Sequence, residues 1–344
     1  MMSLCQATER RRRPLACFIS EEGLARPSAV VWVAGLLLLF AATHGVAATF
    51  AISLGGFSGE GALSRPCAAF YEMSLAEFYV ADAGHQRIAV YDSSGDFVSD
   101  IPLLSGGQGN TRLEPCAVAA DPTGRVFVAT NGEPAVRVYD IRGELLKTIT
   151  SDEKSDPLPS PRVLFVDSHG QIHVLWHKAR APWTIYSPDL ELAWSGGNVG
   201  DAPGDFKEPL ALWIDVQDRA YVCDAIASPA VKVFGPDRGF LFGFGAHDVA
   251  REDLSLPSGI VTVSDGSIWV EDRLRQVIKQ YDPRGNLLTM IGGWGTAPGE
   301  LRYPAGLTVD GKGRLFVAEN GGNRFQIYSV SADSASSASA GSAP

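Results

Sequence analysis

A unit of about 46 to 49 residues recurs six times, and this repeat constrains the fold of the 344-residue chain more than any other feature. Each unit begins with a proline followed by a short apolar run. The gaps between successive prolines are 49, 46, 48, 48 and 47 residues. The six are Pro66, Pro115, Pro161, Pro209, Pro257 and Pro304. A fixed period in this range is typical of solenoids, propellers and other repeat arrays.

Each of the first five units contains four short segments with strand character, and the sixth contains three. Segments such as residues 268–272 and 287–291 are rich in β-branched and aromatic residues, and turns such as residues 282–285 separate them. No amphipathic helical pattern interrupts them, which argues against a parallel βαβ sheet. We therefore predict an all-β chain that forms a six-bladed β-propeller of four-stranded blades.

Two units carry a recognisable motif. Residues 81–91 (ADAGHQRIAVY) and 318–328 (AENGGNRFQIY) resemble the NHL repeat, whose core is V-x-D-x-x-N-x-R-I-x-x-F. The resemblance covers about residues 49–330 and is degenerate in the second, third and fourth units, where the arginine position holds Ala135 or cannot be assigned.

An acid stands five residues before the arginine in both motifs. We interpret these acids and arginines as structural repeat positions that form turn-bridging ion pairs. They are Asp82, Arg87, Glu319 and Arg324.

The ends of the array predict how the ring closes. The sixth unit stops after its third strand, at about residue 330, and residues 50–56 resemble the fourth strand of the fifth unit. We predict that residues 49–56 supply the outer strand of the last blade, which protects an otherwise unpaired sheet edge. The propeller then spans residues 49–330.

The segments outside the array have their own compositions. Four arginines at positions 10–13 precede an uncharged, largely apolar stretch at 28–48. Residues 1–48 are therefore predicted to be a signal peptide or an N-terminal membrane anchor, with the propeller periplasmic or extracellular in both cases. Residues 331–344 are a Ser/Ala-rich tail that we expect to be disordered.

The charge balance bears on the kind of partner. Removing the five arginines and three glutamates of residues 1–48 from the totals of 29 basic and 39 acidic residues leaves 24 and 36, a net charge of −12. An acidic surface repels phosphate backbones, so nucleic acid is not an expected partner. Contact with a membrane is expected only through the N-terminal segment.

Two cysteines, Cys67 and Cys116, each follow an anchor proline and so occupy equivalent places in neighbouring blades. An oxidising compartment would favour a disulfide between them. Two separate buried thiols are the alternative, because equivalent positions on adjacent inner strands are often too far apart for a disulfide.

Two resemblances bear on whether the propeller holds a metal ion. The stretch 175–183 resembles a segment of the peptidylglycine-amidating lyases, propellers that hold zinc with histidines; the candidates here are His85, His173 and His177. Lactonase-type propellers hold calcium with acids and amides on the inner strands. Those strands are largely apolar here, so no cofactor is predicted, with zinc or calcium as the alternative.

The stretch 175–183 departs most from the repeat and is rich in aromatic residues. We predict that surface residues in this stretch and in one linker contact the binding partner. They are Trp176, His177, Arg180, Trp183 and Trp294. The sequence thus favours a non-catalytic platform for a protein or glycan of the cell envelope. A metal-dependent enzyme of lyase or lactonase/hydrolase type is the alternative.

Overall fold

The computed structural model describes residues 48–54, 59–104, 111–151, 158–247 and 250–330. The predicted signal peptide or anchor, apart from Ala48, and the Ser/Ala-rich tail lie outside these ranges, as do Gly55 and Gly56 of the predicted closing strand. Across the described ranges, no helix is long and apolar enough to cross a membrane.

The prediction of six four-stranded blades is confirmed. Twenty-four strands form six antiparallel sheets, each with its strands in sequence order except where the ring closes. Blade 1 contains β2 (Pro66–Glu72), β3 (Glu77–Asp82), β4 (Arg87–Asp92) and β5 (Phe97–Pro102). Blade 2 contains β6 (Pro115–Ala120), β7 (Val126–Thr130), β8 (Ala135–Tyr139) and β9 (Leu145–Thr150). Blade 3 contains β10 (Ser160–Val166), β11 (Ile172–His177), β12 (Trp183–Tyr186) and β13 (Leu192–Gly196).

The second half of the ring repeats this plan. Blade 4 contains β14 (Pro209–Ile214), β15 (Ala220–Asp224), β16 (Val231–Phe234) and β17 (Phe240–Phe244). Blade 5 contains β18 (Pro257–Thr262), β19 (Ile268–Asp272), β20 (Val277–Tyr281) and β21 (Leu287–Gly292). Blade 6 contains β22 (Pro304–Val309), β23 (Arg314–Glu319), β24 (Arg324–Val330) and the N-terminal β1 (Ala48–Leu54).

The N-terminal strand closes the ring, as predicted. β1 pairs antiparallel with β24 from Ala48 opposite Val330 to Leu54 opposite Phe325, with a bulge between Phe50 and Ile52. The Phe50 ring packs edge-on against Tyr328, with the two centroids 6.0 Å apart. The first and last parts of the propeller are thereby held in one sheet.

The anchor prolines mark a β-bulge at the start of every inner strand. In blade 1 the pairing of β2 with β3 skips from Pro66 to Ala68, and the other five inner strands skip the residue after proline in the same way. Proline suits this position because it has no N–H to place in the ladder. We call the end of the propeller where the inner strands begin the linker face, and the opposite end the turn face.

Apolar packing between blades forms the core. The second and third strands of each blade are mostly buried, whereas the fourth strands of blades 1 to 5 are exposed or half-buried along most of their length. Aromatic rings of neighbouring blades pack against each other. The ring centroids of Phe165 in blade 3 and Trp213 in blade 4 are 5.3 Å apart, and those of Phe78 in blade 1 and Phe316 in blade 6 are 3.7 Å apart. The buried apolar residues form four clusters, which together surround the central channel.

The predicted ion pairs of the first and last blades are present. The Asp82 carboxylate is fully buried and accepts from Arg87 Nε at 3.0 Å, and Glu319 accepts from Arg324 Nε at 2.7 Å. Each carboxylate also accepts a backbone N–H from the preceding linker, of Ser64 in one blade and Arg302 in the other. Both acids thus tie the linker face of their own blade together.

In blades 4 and 5, the buried acid at the end of the second strand is paired with a cation from a different position on the third strand. Their third strands carry a lysine two residues beyond the position of Arg87, where blade 1 has Ala89. Lys232 Nζ lies 3.1 Å from the Asp224 carboxylate, with both side chains fully buried, and Lys279 Nζ lies 3.7 Å from that of Asp272. Because alternate residues of a strand share a face, a shift of two keeps the cation beside the acid.

Candidate site at the mouth of the central channel

The six bulge residues form a ring around the central channel. All six line both the channel and the cavity at its mouth on the linker face. They are Cys67, Cys116, Arg162, Leu210, Ser258 and Ala305. The bulge releases these residues from regular pairing, so the channel mouth receives one side chain from every blade.

The mouth is a polar cavity of about 250 Å³. Besides the ring, it is lined by Arg65, Glu114, Arg273 and two asparagines, Asn131 and Asn320, from the linkers and the loops between second and third strands. Such a cavity offers guanidinium, carboxylate and amide groups within one small volume. These groups can form several directed hydrogen bonds to a ligand.

Two groups of paired charges, one around Glu114 and one around Glu208, lie at or beside the mouth. Arg65 Nη2 lies 2.7 Å from Glu114 Oε1. Glu208, which precedes the inner strand of blade 4, lies 3.4 Å from Arg162 and 3.4 Å from His177 Nδ1. The Arg162 side chain is 42% exposed, so part of its guanidinium faces solvent.

Arg273 differs from the other two arginines. It is half-buried at the mouth, and within the described residues its guanidinium has neither a hydrogen-bond partner nor a carboxylate within ion-pair distance. The guanidinium has five N–H donors. Arg273 therefore offers the mouth more free donors than the paired arginines do.

Below the mouth, the channel is small. It has a volume of about 100 Å³, and its walls include Val118, Leu164, Leu212, Ile260 and Leu307. On the turn-face side, aromatic rings narrow it. The ring centroids of Phe70 in blade 1 and Phe165 in blade 3 are 5.7 Å apart. Because these two blades are not neighbours, this contact crosses the channel.

A buried carboxyl group adjoins the ring in blade 5. Glu271 is fully buried, its Oε1 accepts from Ser258 Oγ at 2.6 Å, and its Oε2 accepts from the backbone N–H of Gly306 at 3.1 Å. Burial raises the pKa of Glu271 to about 7. A Cβ at Gly306 would lie 2.8 Å from the backbone of Ala69, so glycine is needed for this close approach.

The two ring cysteines are free thiols. Each points at the next blade: Cys67 Sγ lies 3.0 Å from the carbonyl oxygen of Pro115, and Cys116 Sγ lies 3.9 Å from that of Pro161. Burial raises the pKa of both, that of Cys116 to about 11. The alternative of two separate thiols is the one observed, and Cys223 is a third free thiol, fully buried in the core.

The prediction that Trp176 and Trp183 are surface residues is wrong. Both are 1% exposed. Trp176 occupies the position that Asp82 holds in blade 1, and its indole N–H donates to Thr184 Oγ1 at 2.7 Å. A neutral tryptophan–threonine pair thus replaces the buried acid and cation in blade 3. Trp183 packs edge-on against Trp194 and Phe234, with ring centroids within 5.8 Å.

The other three surface candidates are accessible. Trp294 is 72% exposed and lies in the linker that leads to blade 6. Arg180 is exposed on the loop between β11 and β12. His177 is half-buried, and Glu208 connects it to Arg162 at the channel mouth. Of the five predicted binding residues, His177 thus comes closest to the central cavity.

The donor set for a metal does not fit in the described part of the chain, where no group of three or more histidine, cysteine, aspartate or glutamate side chains converges. His173 is buried, with Nε2 2.9 Å from Asp167 and Nδ1 accepting from Trp183 Nε1 at 3.2 Å. His85 pairs with Asp82 at 2.8 Å on the same blade. These histidines are committed to separate local contacts.

Sequence reasoning missed Arg162, Arg273, Ser258 and Glu271. A signal for two of them was present: alignment on the anchor prolines puts Arg162 where the other units have cysteine, leucine, serine or alanine. Likewise, Glu271 stands where the other five blades have alanine, leucine or cysteine. A charged residue at a position that is otherwise uncharged indicates a local role.

Comparisons with known proteins agree with the fold. No model of a known protein family matches the chain. A stretch of 125 residues, 36% of the chain, is 29% identical to Protein brain tumor of Drosophila melanogaster, of which it covers 12%.

Two solved structures superimpose on most of the chain. They are a gluconolactonase from Xanthomonas campestris (TM-score 0.54, 18% identity, 78% of this chain and 87% of the other) and a streptogramin B lyase (TM-score 0.56, 11% identity, 81% and 97%). At these identities the likeness concerns the fold alone. The protein is a six-bladed β-propeller with a polar cavity at the mouth of its channel.

Proposed function

We propose that this propeller is a non-catalytic binding platform that holds a protein or glycan partner at its linker face. The observation that carries the proposal is the channel mouth, where every blade contributes a ring residue and arginine, glutamate and asparagine side chains surround one cavity. The inner strands position the ring residues, and the linkers and loops at the strand ends bring the arginine, glutamate and asparagine side chains to the same cavity.

Two further parts of the proposal come from the sequence. The repeat is of the NHL type, supported by the motifs at residues 81–91 and 318–328. The protein is exported, with residues 1–48 as signal peptide or membrane anchor, and the partner belongs to the cell envelope. Localisation of a tagged chain, before and after replacement of the arginines at 10–13, tests export.

Charge reversal at the mouth tests the binding proposal. We expect the double variant Arg162→Glu and Arg273→Glu to lose capture of envelope proteins or glycans that the unmodified chain retains. The matched control is Arg284→Glu, because Arg284 is exposed on a turn of blade 5 at the turn face. Equal capture by both variants, with unchanged thermal melts, would refute binding at the mouth.

An enzyme of lyase or lactonase/hydrolase type is the second candidate. The Ser258–Glu271 pair favours it, because a carboxyl group with a pKa of about 7 can accept or donate a proton near neutral pH. The fold is shared with a gluconolactonase and a streptogramin B lyase. Lactone hydrolysis or lyase turnover that Glu271→Gln abolishes without loss of folding would support this candidate.

A further inference from the structure

We propose that the channel mouth binds a small oxyanion and that Glu271 couples this binding to pH, with the anion bound when the carboxyl is protonated and released when it is ionised. The oxyanion is a carboxylate, sulfate or phosphate group. Two sources share this chemistry: a free anion and an anionic group of the partner. The inference rests on the proposed function, because it gives the chemistry by which a partner would contact the mouth.

The surroundings of Glu271 favour its neutral form. The side chain is fully buried, and its carboxyl accepts hydrogen bonds from Ser258 Oγ at 2.6 Å and from the Gly306 N–H at 3.1 Å. In the described part of the chain, no cation lies within ion-pair distance of it. Burial without a paired cation disfavours a carboxylate, and the pKa of Glu271 is accordingly raised to about 7.

Few charged groups face this carboxyl from the elements packed around it. On its own strand, Asp272 is buried beside Lys279, and Arg273 follows in the next loop. Blade 4 contributes the Cys223 thiol, which stays neutral because burial raises its pKa. The facing residues of β20 and β22 are uncharged. Arg273 is therefore the cation whose charge Glu271 offsets when it ionises.

Ionisation of Glu271 changes the net charge of the mouth. Three arginines line the cavity. They are Arg65, Arg162 and Arg273. Glu114 pairs with the first and Glu208 with the second. Three carboxylates balance three guanidinium groups when Glu271 is ionised, and one positive charge remains when it is protonated. The buried acids that end the second strands do not alter this balance, because each is paired with a cation of its own blade.

Protonation also supplies hydrogen-bond donors to an anion. A protonated Glu271 can donate to Ser258 Oγ, so the hydroxyl hydrogen of Ser258 becomes available to a ligand in the mouth. The neighbouring Arg273 guanidinium can form two parallel hydrogen bonds to a carboxylate or sulfate. Since the propeller as a whole is acidic, the mouth is the part of the linker face where an anion is expected to bind.

Titration calorimetry of the full chain with sulfate tests the inference. Sulfate stays doubly charged between about pH 6 and about pH 8, so changes in affinity report on the protein. If only the protonated form binds, affinity follows the protonated fraction of Glu271, which falls about tenfold across this range for a pKa of about 7. Near pH 7, binding should take up about half a proton per sulfate, measured in buffers of different ionisation enthalpy.

Variants assign the effect, with thermal melts to check folding. Glu271→Gln should bind sulfate equally at both pH values and take up no proton. Ser258→Ala removes a donor that favours the charged carboxyl, so its affinity should fall at higher pH than that of the wild type. Arg273→Gln should weaken binding by about tenfold near pH 6, and Arg284→Gln should not. His177→Gln controls for the imidazole near the mouth and should keep the wild-type pH dependence.

Competition identifies the source of the anion. Sulfate that releases a captured envelope partner would assign the oxyanion to the partner, whereas capture that sulfate does not affect would assign a free anion. Both results support the inference.

Three results would overturn it: no sulfate binding at either pH, affinity that does not depend on pH, or a pH dependence that Glu271→Gln retains. The proposed function can survive these results. If envelope capture still requires Arg162 and Arg273, the platform stands and only the proton-coupled anion site is wrong. If capture ignores both arginines, the proposed function itself fails.

Discussion

Replacing Glu271 by glutamine is expected to change how the stability of the propeller depends on pH. Burial raises the pKa of this carboxyl from its ordinary value of 4.5 to about 7, and its two hydrogen-bond donors, Ser258 and Gly306, do not offset this. Glutamine keeps both contacts, because its carbonyl oxygen accepts from Gly306 and its amide donates to the Ser258 hydroxyl.

The sign and size of this pH effect on the free energy of unfolding follow from proton linkage. Between about pH 4.5 and 7, the folded chain keeps a proton on Glu271 that the unfolded chain has lost, so the free energy of unfolding falls as pH rises. The rise from 4.5 to about 7 corresponds to about 3 kcal/mol, at roughly 1.36 kcal/mol for each pH unit. Glutamine does not titrate, so the free energy of unfolding of Glu271→Gln does not fall in this way. The difference in free energy of unfolding between the variant and the wild type should therefore grow by about 3 kcal/mol between pH 4.5 and about 7.

Urea unfolding at several pH values, from below 4.5 to above 7, measures the difference. Glu133→Gln is a control of opposite sign. Hydrogen bonds from Arg137 lower the pKa of Glu133, so this carboxylate stabilises the fold above its ordinary pKa and loses that effect as pH falls. A difference between Glu271→Gln and wild type that stays constant across the window would refute a raised pKa for Glu271.

Three further changes test the architecture. A chain that begins at residue 59 lacks β1, and we expect it to melt at lower temperature and to aggregate through the free edge of β24; unchanged melting and gel filtration would contradict this. Lys232→Met leaves the buried Asp224 without its cation and should cost about 3–5 kcal/mol in urea unfolding, against little change for Arg284→Met. Trp176→Ala should lower the free energy of unfolding by about 3–5 kcal/mol, because it removes a large buried side chain. A free energy of unfolding near the wild-type value would contradict the burial of Trp176.

Part of the candidate site could be predicted from the sequence alone. The departure of residues 175–183 from the repeat drew attention to His177, which lies beside Glu208 near the mouth. The same stretch misled, because Trp176 and Trp183 looked like exposed aromatics. They are buried because blade 3 uses a tryptophan–threonine hydrogen bond where other blades use an acid and a cation.

Six blades and the closing strand could be predicted from the period of the prolines, the strand segments and the matching ends of the array. These signals are local and periodic, so they can be counted along the chain. The site could not be predicted in this way, because Arg65, Arg162, Ser258 and Arg273 come from blades 1, 3 and 5 and meet only when the ring closes. The displaced lysines Lys232 and Lys279 were hidden for a related reason: they lie two residues from the expected position, and only strand pairing places them beside their acids.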